Sequence, residues 1–293
     1  MKTFLKIALY IVLTPAVARA QQRILLTGQA ENRVVIADVA TQRIVWEWKP
    51  SASTVDTACW RWFTNPSDAK PVYDGEYILT VASGGGVALI RVADHRTVFY
   101  GYAGGNPHSA ELFPDGNIVV ASSNGNYLTL FRADTSWHGP TGYSSRLYIE
   151  FGHNVVWDRK RRLLWSADKH RLKTFRYNFN RQDPALQPVD SMMLPGSEYH
   201  DLFPTLDGDT LWITNTTHVY KLDLSSRRLI QAETPQKNVK SISSAPGYPT
   251  LISVPQESWW TDEIRDIHGN VLFRQQGLKI YKARWLVVNT FSY

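Results

Sequence analysis

The chain has 293 residues, a formal net charge of +6 and a single cysteine, Cys59. A lone cysteine excludes an intramolecular disulfide, so the fold must be stabilised by its core. Half of the excess positive charge lies in the first 19 residues, and the modest remainder argues against the concentrated basic surface of a nucleic-acid-binding protein. The 11 Trp, 14 Tyr and 11 Phe favour β-strands and supply flat surfaces for ligands.

The N-terminal segment has the three regions of a secretory signal peptide. Lys2 and Lys6 precede an apolar run over residues 7–13, and Ala18-Arg19-Ala20 forms a small-residue cleavage motif. The run is too short to span a bilayer. We therefore predict a signal peptide over residues 1–20 and export of residues 21–293 to a periplasm or the extracellular space, with no membrane span after cleavage. A retained N-terminal anchor is the alternative.

Six segments of the remaining chain share one pattern: a basic residue, a short apolar stretch, a turn and a strongly apolar strand. Successive basic residues are 38 to 47 residues apart, a period typical of propeller blades. They are Lys70, His108, His153, His200, Lys240 and Lys282. We therefore predict an all-β fold, a single six-bladed β-propeller domain over residues 21–293 with four strands in each blade. An open β-sandwich, the alternative, would not explain the period.

The strand pattern also predicts how the ring closes. In the third unit we expect strands over 108–114, 117–122, 127–133 and 145–151, and in the fifth over 200–206, 210–215, 218–224 and 229–234. The sixth unit runs out of chain after one strand, roughly 280–288. The N-terminus in turn supplies three strands without a first partner, over 23–27, 33–39 and 43–49. We predict that the C-terminal strand completes the first blade and so removes an exposed sheet edge.

The innermost strand of each blade lines the central channel, so the six basic residues are predicted to lie at one level near its mouth. Like charges so close together are unfavourable in a partly desolvated site and must be compensated. Carboxylates such as Glu111 and Asp201 could pair with the cations. Alternatively, an anionic ligand could fill the mouth. The third option is that His108, His153 and His200, on consecutive blades, bind one divalent metal ion.

Aromatic and amide side chains near the mouth extend the candidate ligand site. Trp62 lies in a long insertion between blades one and two, over residues 50–69, and Trp259 lies between the second and third strands of blade six. Asn106 lies two residues before His108, the first residue of the third unit. Indole faces can pack on sugar rings, and amides can bind hydroxyl or carboxylate groups. We include these three residues in the predicted ligand site, with packing between blades as the alternative role for the tryptophans.

Several motifs resemble an uncharacterised family of exported bacterial six-bladed β-propellers, classed as a domain of unknown function. They include the segments beginning Asn65-Pro66-Ser67-Asp68, Gly84-Gly85-Gly86-Val87, Gly105-Asn106-Pro107-His108 and Tyr281-Lys282-Ala283-Arg284. The resemblance covers nearly all of residues 21–293 and implies the fold and export, but no activity.

A weaker similarity is to oligogalacturonate lyase, a propeller whose metal is held by channel histidines. This similarity implies metal-binding roles for His108, His153 and His200. That enzyme has seven blades and a further amide ligand that has no counterpart in this sequence.

Three functions remain open from the sequence. The protein could bind an acidic saccharide or another anionic small ligand at the channel mouth, as a monomer. It could be a metal-dependent lyase or hydrolase acting on uronate-containing glycans. It could also be a scaffold for a protein partner. The sequence contains no Ser-His-Asp pattern, phosphate loop or dinucleotide-binding fingerprint, which argues against the corresponding enzyme classes.

Overall fold

The computed structural model describes residues 22–206 and 208–293, so the predicted signal peptide lies outside the described residues. Six antiparallel sheets of four strands each form the blades of a ring, and the predicted six-bladed propeller is confirmed. Three short 3₁₀-helices, Pro50–Ala52, Thr57–Phe63 and Tyr73–Gly75, are the helical elements of the described chain. No helix in these residues is long and apolar enough to cross a membrane.

Within each blade the four strands follow one another from the channel outward. From the innermost to the outermost strand, blade one contains β24 (Ile280–Trp285), β1 (Arg23–Gly28), β2 (Arg33–Asp38) and β3 (Arg43–Trp48). Blade two contains β4 (Pro66–Val72), β5 (Tyr77–Ala82), β6 (Gly86–Arg91) and β7 (Thr97–Tyr102). Blade three contains β8 (Pro107–Leu112), β9 (Ile118–Ser122), β10 (Tyr127–Phe131) and β11 (Ser145–Tyr148).

The remaining blades have the same order. Blade four contains β12 (Val156–Asp158), β13 (Leu163–Ala167), β14 (Arg171–Tyr177) and β15 (Leu186–Met193). Blade five contains β16 (Asp201–Pro204), β17 (Thr210–Thr214), β18 (Val219–Asp223) and β19 (Leu229–Gln231). Blade six contains β20 (Ser241–Ser243), β21 (Leu251–Ser253), β22 (Glu263–Asp266) and β23 (Val271–Arg274). The strands predicted for the third and fifth units are found, and most are shortened by one to three residues at their ends.

The C-terminal strand closes the ring as predicted. It pairs with β1 in an antiparallel register that places Trp285 opposite Ile24 and Ala283 opposite Leu26. The strand ends at Trp285 and not near residue 288. Because the first and last strands of the described chain are joined in one blade, neither is left with an unpaired edge at the closure.

Buried tryptophans pack where neighbouring blades meet. Trp48 of blade one donates its indole N–H to the hydroxyl of Thr97 in blade two at 3.0 Å. Trp285 of blade one donates to the carbonyl of Pro249 in blade six at 2.8 Å. These polar contacts satisfy the indole N–H groups while the rings fill the space between sheets. The faces of adjacent blades are thereby held in a fixed relation around the channel.

Antiparallel pairing sorts the connections onto two faces of the ring. The links between the second and third strands, and those from one blade to the next, open on one face. We call it the ring face. On that face, a residue with a left-handed backbone lies one to five positions before the start of each innermost strand. These residues, with φ between 54° and 61°, are Asn65, Asn106, Phe151, Glu198, Asn238 and Lys279.

Candidate functional site

The six residues with a left-handed backbone mark structurally equivalent positions in the six blades, which the six basic residues of the sequence pattern do not. Two positions after each of them is a side chain at the channel mouth, and contacts between these side chains link different blades. The His108 and His153 rings stack with centroids 4.5 Å apart, and the His153 and His200 rings meet edge to face at 5.5 Å. We call this set the channel ring. In blade order from one to six, it consists of Tyr281, Ser67, His108, His153, His200 and Lys240.

Lys70 and Lys282 are not members of the channel ring, so the prediction that all six basic residues share one level is wrong. In blades two and three, a β-bulge lies between Pro66 and Asp68 and between Pro107 and Ser109, which makes Ser67 the counterpart of His108. Lys70 lies three residues further along its strand than that position, and Lys282 one residue further. The structural alignment gives 41 residues from Ser67 to His108, close to the usual blade period.

Lys70 forms a buried ion pair with a carboxylate of the next blade. Its ammonium lies 3.2 Å from Oε2 of Glu111 and donates to the carbonyl of Val155 at 2.7 Å. The two side chains are 2% and 1% exposed. Burial raises the pKa of Glu111, and the charge of Lys70 opposes that increase. Of the three options from the sequence, the pairing of channel cations with carboxylates therefore applies to Lys70.

A second buried cluster joins the C-terminal strand to blades two and five. Arg284 contacts both carboxylate oxygens of Asp201, at 2.6 and 2.7 Å, and reaches Asp68 at 3.2 Å. Lys282 lies 3.1 Å from Asp201 and 3.9 Å from Asp68. Burial alone would raise the pKa of Asp201, but attraction to Arg284 and Lys282 holds it well below its usual value. The pair of cations on β24 therefore matches the pair of aspartates.

Among the channel cations of the described residues, Lys240 is the one that forms no ion pair with a carboxylate. Within the described residues, Lys70, Lys282 and Arg284 are matched by Asp68, Glu111 and Asp201. The half-buried ammonium of Lys240 instead donates to Nε2 of His200 at 3.0 Å.

The pKa of Lys240 is lowered by burial to about 8. Burial has the largest effect. The exposed carboxylate of Glu198 opposes it, and the charge of Lys282 adds to the decrease. Among the described residues, the positive charge of Lys240 is therefore compensated only in part, by Glu198, and by no direct carboxylate contact.

The three histidines of the ring are held neutral. Burial is the main reason, and neighbouring positive charges add to it: the pKa of His153 falls to about 4, and the pKa values of His108 and His200 fall well below the ordinary value. His153 donates from Nδ1 to the carbonyl of Phe151 at 2.9 Å. In the described chain, Nδ1 of His108 and Nδ1 of His200 are buried without a hydrogen-bond partner. Leaving a buried polar atom without a hydrogen bond is unfavourable.

The imidazoles are not arranged as a metal site. No three His, Cys, Asp or Glu side chains among residues 22–206 and 208–293 are grouped so that they could hold a metal ion. His108 and His153 stack at an interplanar angle of 26°, an arrangement that separates their nitrogen lone pairs, which would have to converge on one ion. The Nε2 atom of His200 already accepts a hydrogen bond from Lys240. The residues present therefore do not fit the divalent metal ion considered from the sequence.

The three remaining residues of the predicted site have different surroundings. Trp62 lies against Tyr102 with ring centroids 5.2 Å apart, at the edge of the core between blades one and two. Asn106 occupies the left-handed position before His108 and donates to the hydroxyl of Ser123 at 3.2 Å. Trp259 is 53% exposed on the ring face. Trp259 therefore has the largest accessible surface of the three.

Tyr281, Ser67 and Gln29 were missed by the sequence analysis. Tyr281 packs against His108 with ring centroids 5.5 Å apart, and Ser67 donates to the carbonyl of Pro107 at 2.5 Å. Gln29 bridges Trp259 and Pro66 through its side-chain amide. The Asn-Pro pair at Asn65 and again at Asn106 was the signal that could have given the correct alignment of blades two and three, and hence Ser67.

A second cleft that contains cations lies away from the channel ring. A cleft of about 540 Å³ between blades two and three, on the opposite face, is lined by Tyr73, Tyr77 and three arginines. Arg91 in this cleft forms a two-point contact with Asp94, and Arg96 contacts His138. Burial lowers the pKa of Lys240, so its charge is the more desolvated one, and the channel ring is the stronger candidate for an anion site.

Comparison with known proteins agrees with this architecture. The model of the family of unknown function DUF6528 matches residues 12–293. The chain belongs to this family. Membership confirms the resemblance to an uncharacterised propeller family and assigns no activity. No curated protein matches the chain significantly.

Solved structures similar to this member of DUF6528 share its fold at low sequence identity. A protein of unknown function from Bacteroides caccae has a TM-score of 0.61 at 16% identity, covering 92% of this chain and 100% of that chain. The β-propeller domain of Myceliophteria thermophila Cps50 (Swd1) has a TM-score of 0.55 at 16% identity, covering 89% and 88%. Kuenenia stuttgartiensis hydrazine synthase has a TM-score of 0.54 at 14% identity, covering 88% and 80%. At these identities the similarity concerns the fold alone.

Replacing Lys282 tests whether the buried cluster stabilises the ring. Lys282→Met should lower the free energy of unfolding by about 3 kcal/mol or more, because it removes a buried cation from two buried aspartates. Lys160→Met is the matched control: Lys160 is 74% exposed beside Asp209, and its loss should change stability by less than about 1 kcal/mol. Urea unfolding followed by tryptophan fluorescence measures both. Equal stability of the two variants would contradict the proposed role of the cluster.

Proposed function

We propose that this protein binds a small acidic ligand, such as an acidic saccharide or another carboxylate, at the channel ring. The observation that carries the proposal is the unmatched ammonium of Lys240, which donates to a neutral imidazole and to no carboxylate within the described chain. A carboxylate seated beside it would supply the missing negative charge. Because the site is partly desolvated, that attraction would be stronger than at an exposed lysine.

The neutral histidines suit this role. A neutral imidazole carries one N–H donor, which can bind a carboxylate without adding a second positive charge. Nε2 of His200 accepts from Lys240, so its proton lies on Nδ1, the atom that has no partner among the described residues. A ligand oxygen that reached Nδ1 of His200, which is buried in the ligand-free structure, would remove the cost of leaving that atom unpaired.

The other channel cations do not offer a comparable site. Lys70 and Lys282 are at most 2% exposed and already lie beside carboxylates. An anion would have to displace a buried aspartate or glutamate to reach them, at the cost of an unpaired buried charge. The proposed site is therefore limited to the half-buried side of the ring, at His200 and Lys240. Metal-dependent lyase or hydrolase chemistry is not supported at this site, because the three imidazoles do not converge.

We also propose that the chain is exported and that residues 1–20 are removed. The support is the charged start, the short apolar run and the Ala18-Arg19-Ala20 motif. Expression of the full chain in a bacterial host should yield protein in the periplasmic or culture fraction whose intact mass corresponds to a start at Gln21. Recovery of the protein with its N-terminal 20 residues, in the membrane fraction, would contradict the proposal and indicate an anchor.

Replacing Lys240 tests the ligand site. Lys240→Met should leave the stability of the ligand-free protein unchanged or raised, because it removes an uncompensated charge from a partly desolvated site. The same variant should bind acetate and D-galacturonate at least about tenfold more weakly, which corresponds to about 1.4 kcal/mol. Thermal-shift titrations measure both effects. Lys160→Met, which removes one positive charge on the opposite face, should bind like the wild type.

The pH dependence of binding gives a second criterion. The pKa of Lys240 is about 8 in the ligand-free protein, so the ammonium is present below that pH and is lost above it. The affinity of the wild type for acetate should therefore fall as the pH is raised through 8 and beyond. An affinity that does not depend on pH between 7 and about 9.5, or a Lys240→Met variant that binds acetate like the wild type, would contradict the proposal.

A further inference from the structure

A loop on the ring face is joined at both ends to the channel ring or to residues next to it. It connects β21 to β22, from residue 254 to residue 262. At its start, the carbonyl of Ser253 accepts a hydrogen bond from the backbone N–H of Lys240 at 2.9 Å. Near its end, Thr261 exchanges two backbone hydrogen bonds with Ile280, the residue before Tyr281. Both ends of the loop are thus fixed to members of the ring or to their direct neighbours.

Trp259, near the end of this loop, is held in place by a third connection. Its indole N–H donates to Oε1 of Gln29 at 2.9 Å, and Gln29 donates to the carbonyl of Pro66 at 3.2 Å. Pro66 directly precedes Ser67 of the channel ring. Gln29 is itself 8% exposed, so the anchor is buried although the indole is not. The N–H edge of the Trp259 indole is therefore fixed by a buried partner, while much of the ring is exposed to solvent.

The indole of Trp259 is exposed on the same face of the propeller as the channel ring, and its N–H is satisfied by Gln29. Trp259 is 53% exposed, which leaves a large apolar face in contact with water, on a loop that follows the backbone partner of Lys240, Ser253. Such amphipathic rings are typical of ligand sites, where one face is covered by an apolar surface of the ligand. The neighbouring Trp260 is already covered, since the ammonium of Lys279 lies 4.8 Å from its ring centroid. Trp259 is the indole of this loop that remains available.

We propose that Trp259 forms a platform for the ring of a carboxylated sugar whose acid group is bound at Lys240. This inference rests on the proposed function and names its ligand class. A pyranose has one apolar C–H face, which matches the indole, and hydroxyl groups around its edge, which remain hydrated or reach polar loop side chains such as Gln256. Simple carboxylates would bind at Lys240 without using the platform. Affinity should therefore rise when a sugar ring is attached to the acid group.

Isothermal titration of the chain from residue 21 with two probes, D-galacturonate and acetate, tests this inference. The wild type should bind D-galacturonate at least about tenfold more tightly than acetate, as expected for one stacked aromatic contact. Trp259→Ala should abolish this difference while changing the affinity for acetate by less than about twofold. Trp259→Phe, which keeps an aromatic face, should retain part of the preference.

Trp137 provides the matched control. It is 58% exposed on the opposite face, in the link between β10 and β11, and Trp137→Ala should leave both affinities unchanged. Wild type that binds both probes equally, or a Trp259→Ala variant that keeps the preference for D-galacturonate, would overturn the platform and leave the anion site at Lys240 standing. Wild type that binds neither probe would overturn the proposed function, and the platform with it.

Discussion

A narrow channel lined by six strands can hold only charges that it can neutralise, because few water molecules are available to solvate them. In this propeller three buried cations, Lys70, Lys282 and Arg284, are matched by three buried carboxylates. The histidines are neutral for the same reason, since burial lowers their pKa values. One ammonium, on Lys240, exceeds what the described chain compensates. Charge pairing in a desolvated space thus accounts for the buried ion pairs of the channel and distinguishes Lys240 as the place where we propose a ligand.

Ring closure and charge pairing are linked through the last strand. β24 supplies Lys282 and Arg284, and their partners Asp68 and Asp201 lie on blades two and five. The strand that completes blade one by backbone hydrogen bonds therefore also connects that blade to two others through buried side chains. A propeller closed only by sheet pairing would depend on a single strand pair. In this protein the ion pairs add contacts across the channel, which should make the arrangement of the mouth rigid.

The fold could be predicted from the sequence because its signals are local and repeated. Six blades were predicted from the alternation of strand residues, the turn residues and the repeat period. The closure was predicted from the single unpaired strand at the C-terminus and the three strands at the N-terminus. The ring could be predicted only in part. His108, His153, His200 and Lys240 were found, but β-bulges after Pro66 and Pro107 shift the register, and side-chain chemistry alone did not reveal them. The pairing of Lys282 with Asp201 depends on contacts across the ring, between residues 81 positions apart, which periodicity does not contain.

The most direct test of the unmatched charge is to locate an anion in a crystal. Bromide is small, carries one negative charge and can be identified by its anomalous scattering. In crystals of the wild-type protein soaked in sodium bromide at pH 7, an anomalous peak is expected within hydrogen-bonding distance of Nζ of Lys240 and beside the imidazoles of the ring. The peak should be missing in the Lys240→Met variant. Bromide bound only at surface arginines, with none at the channel ring, would contradict the account.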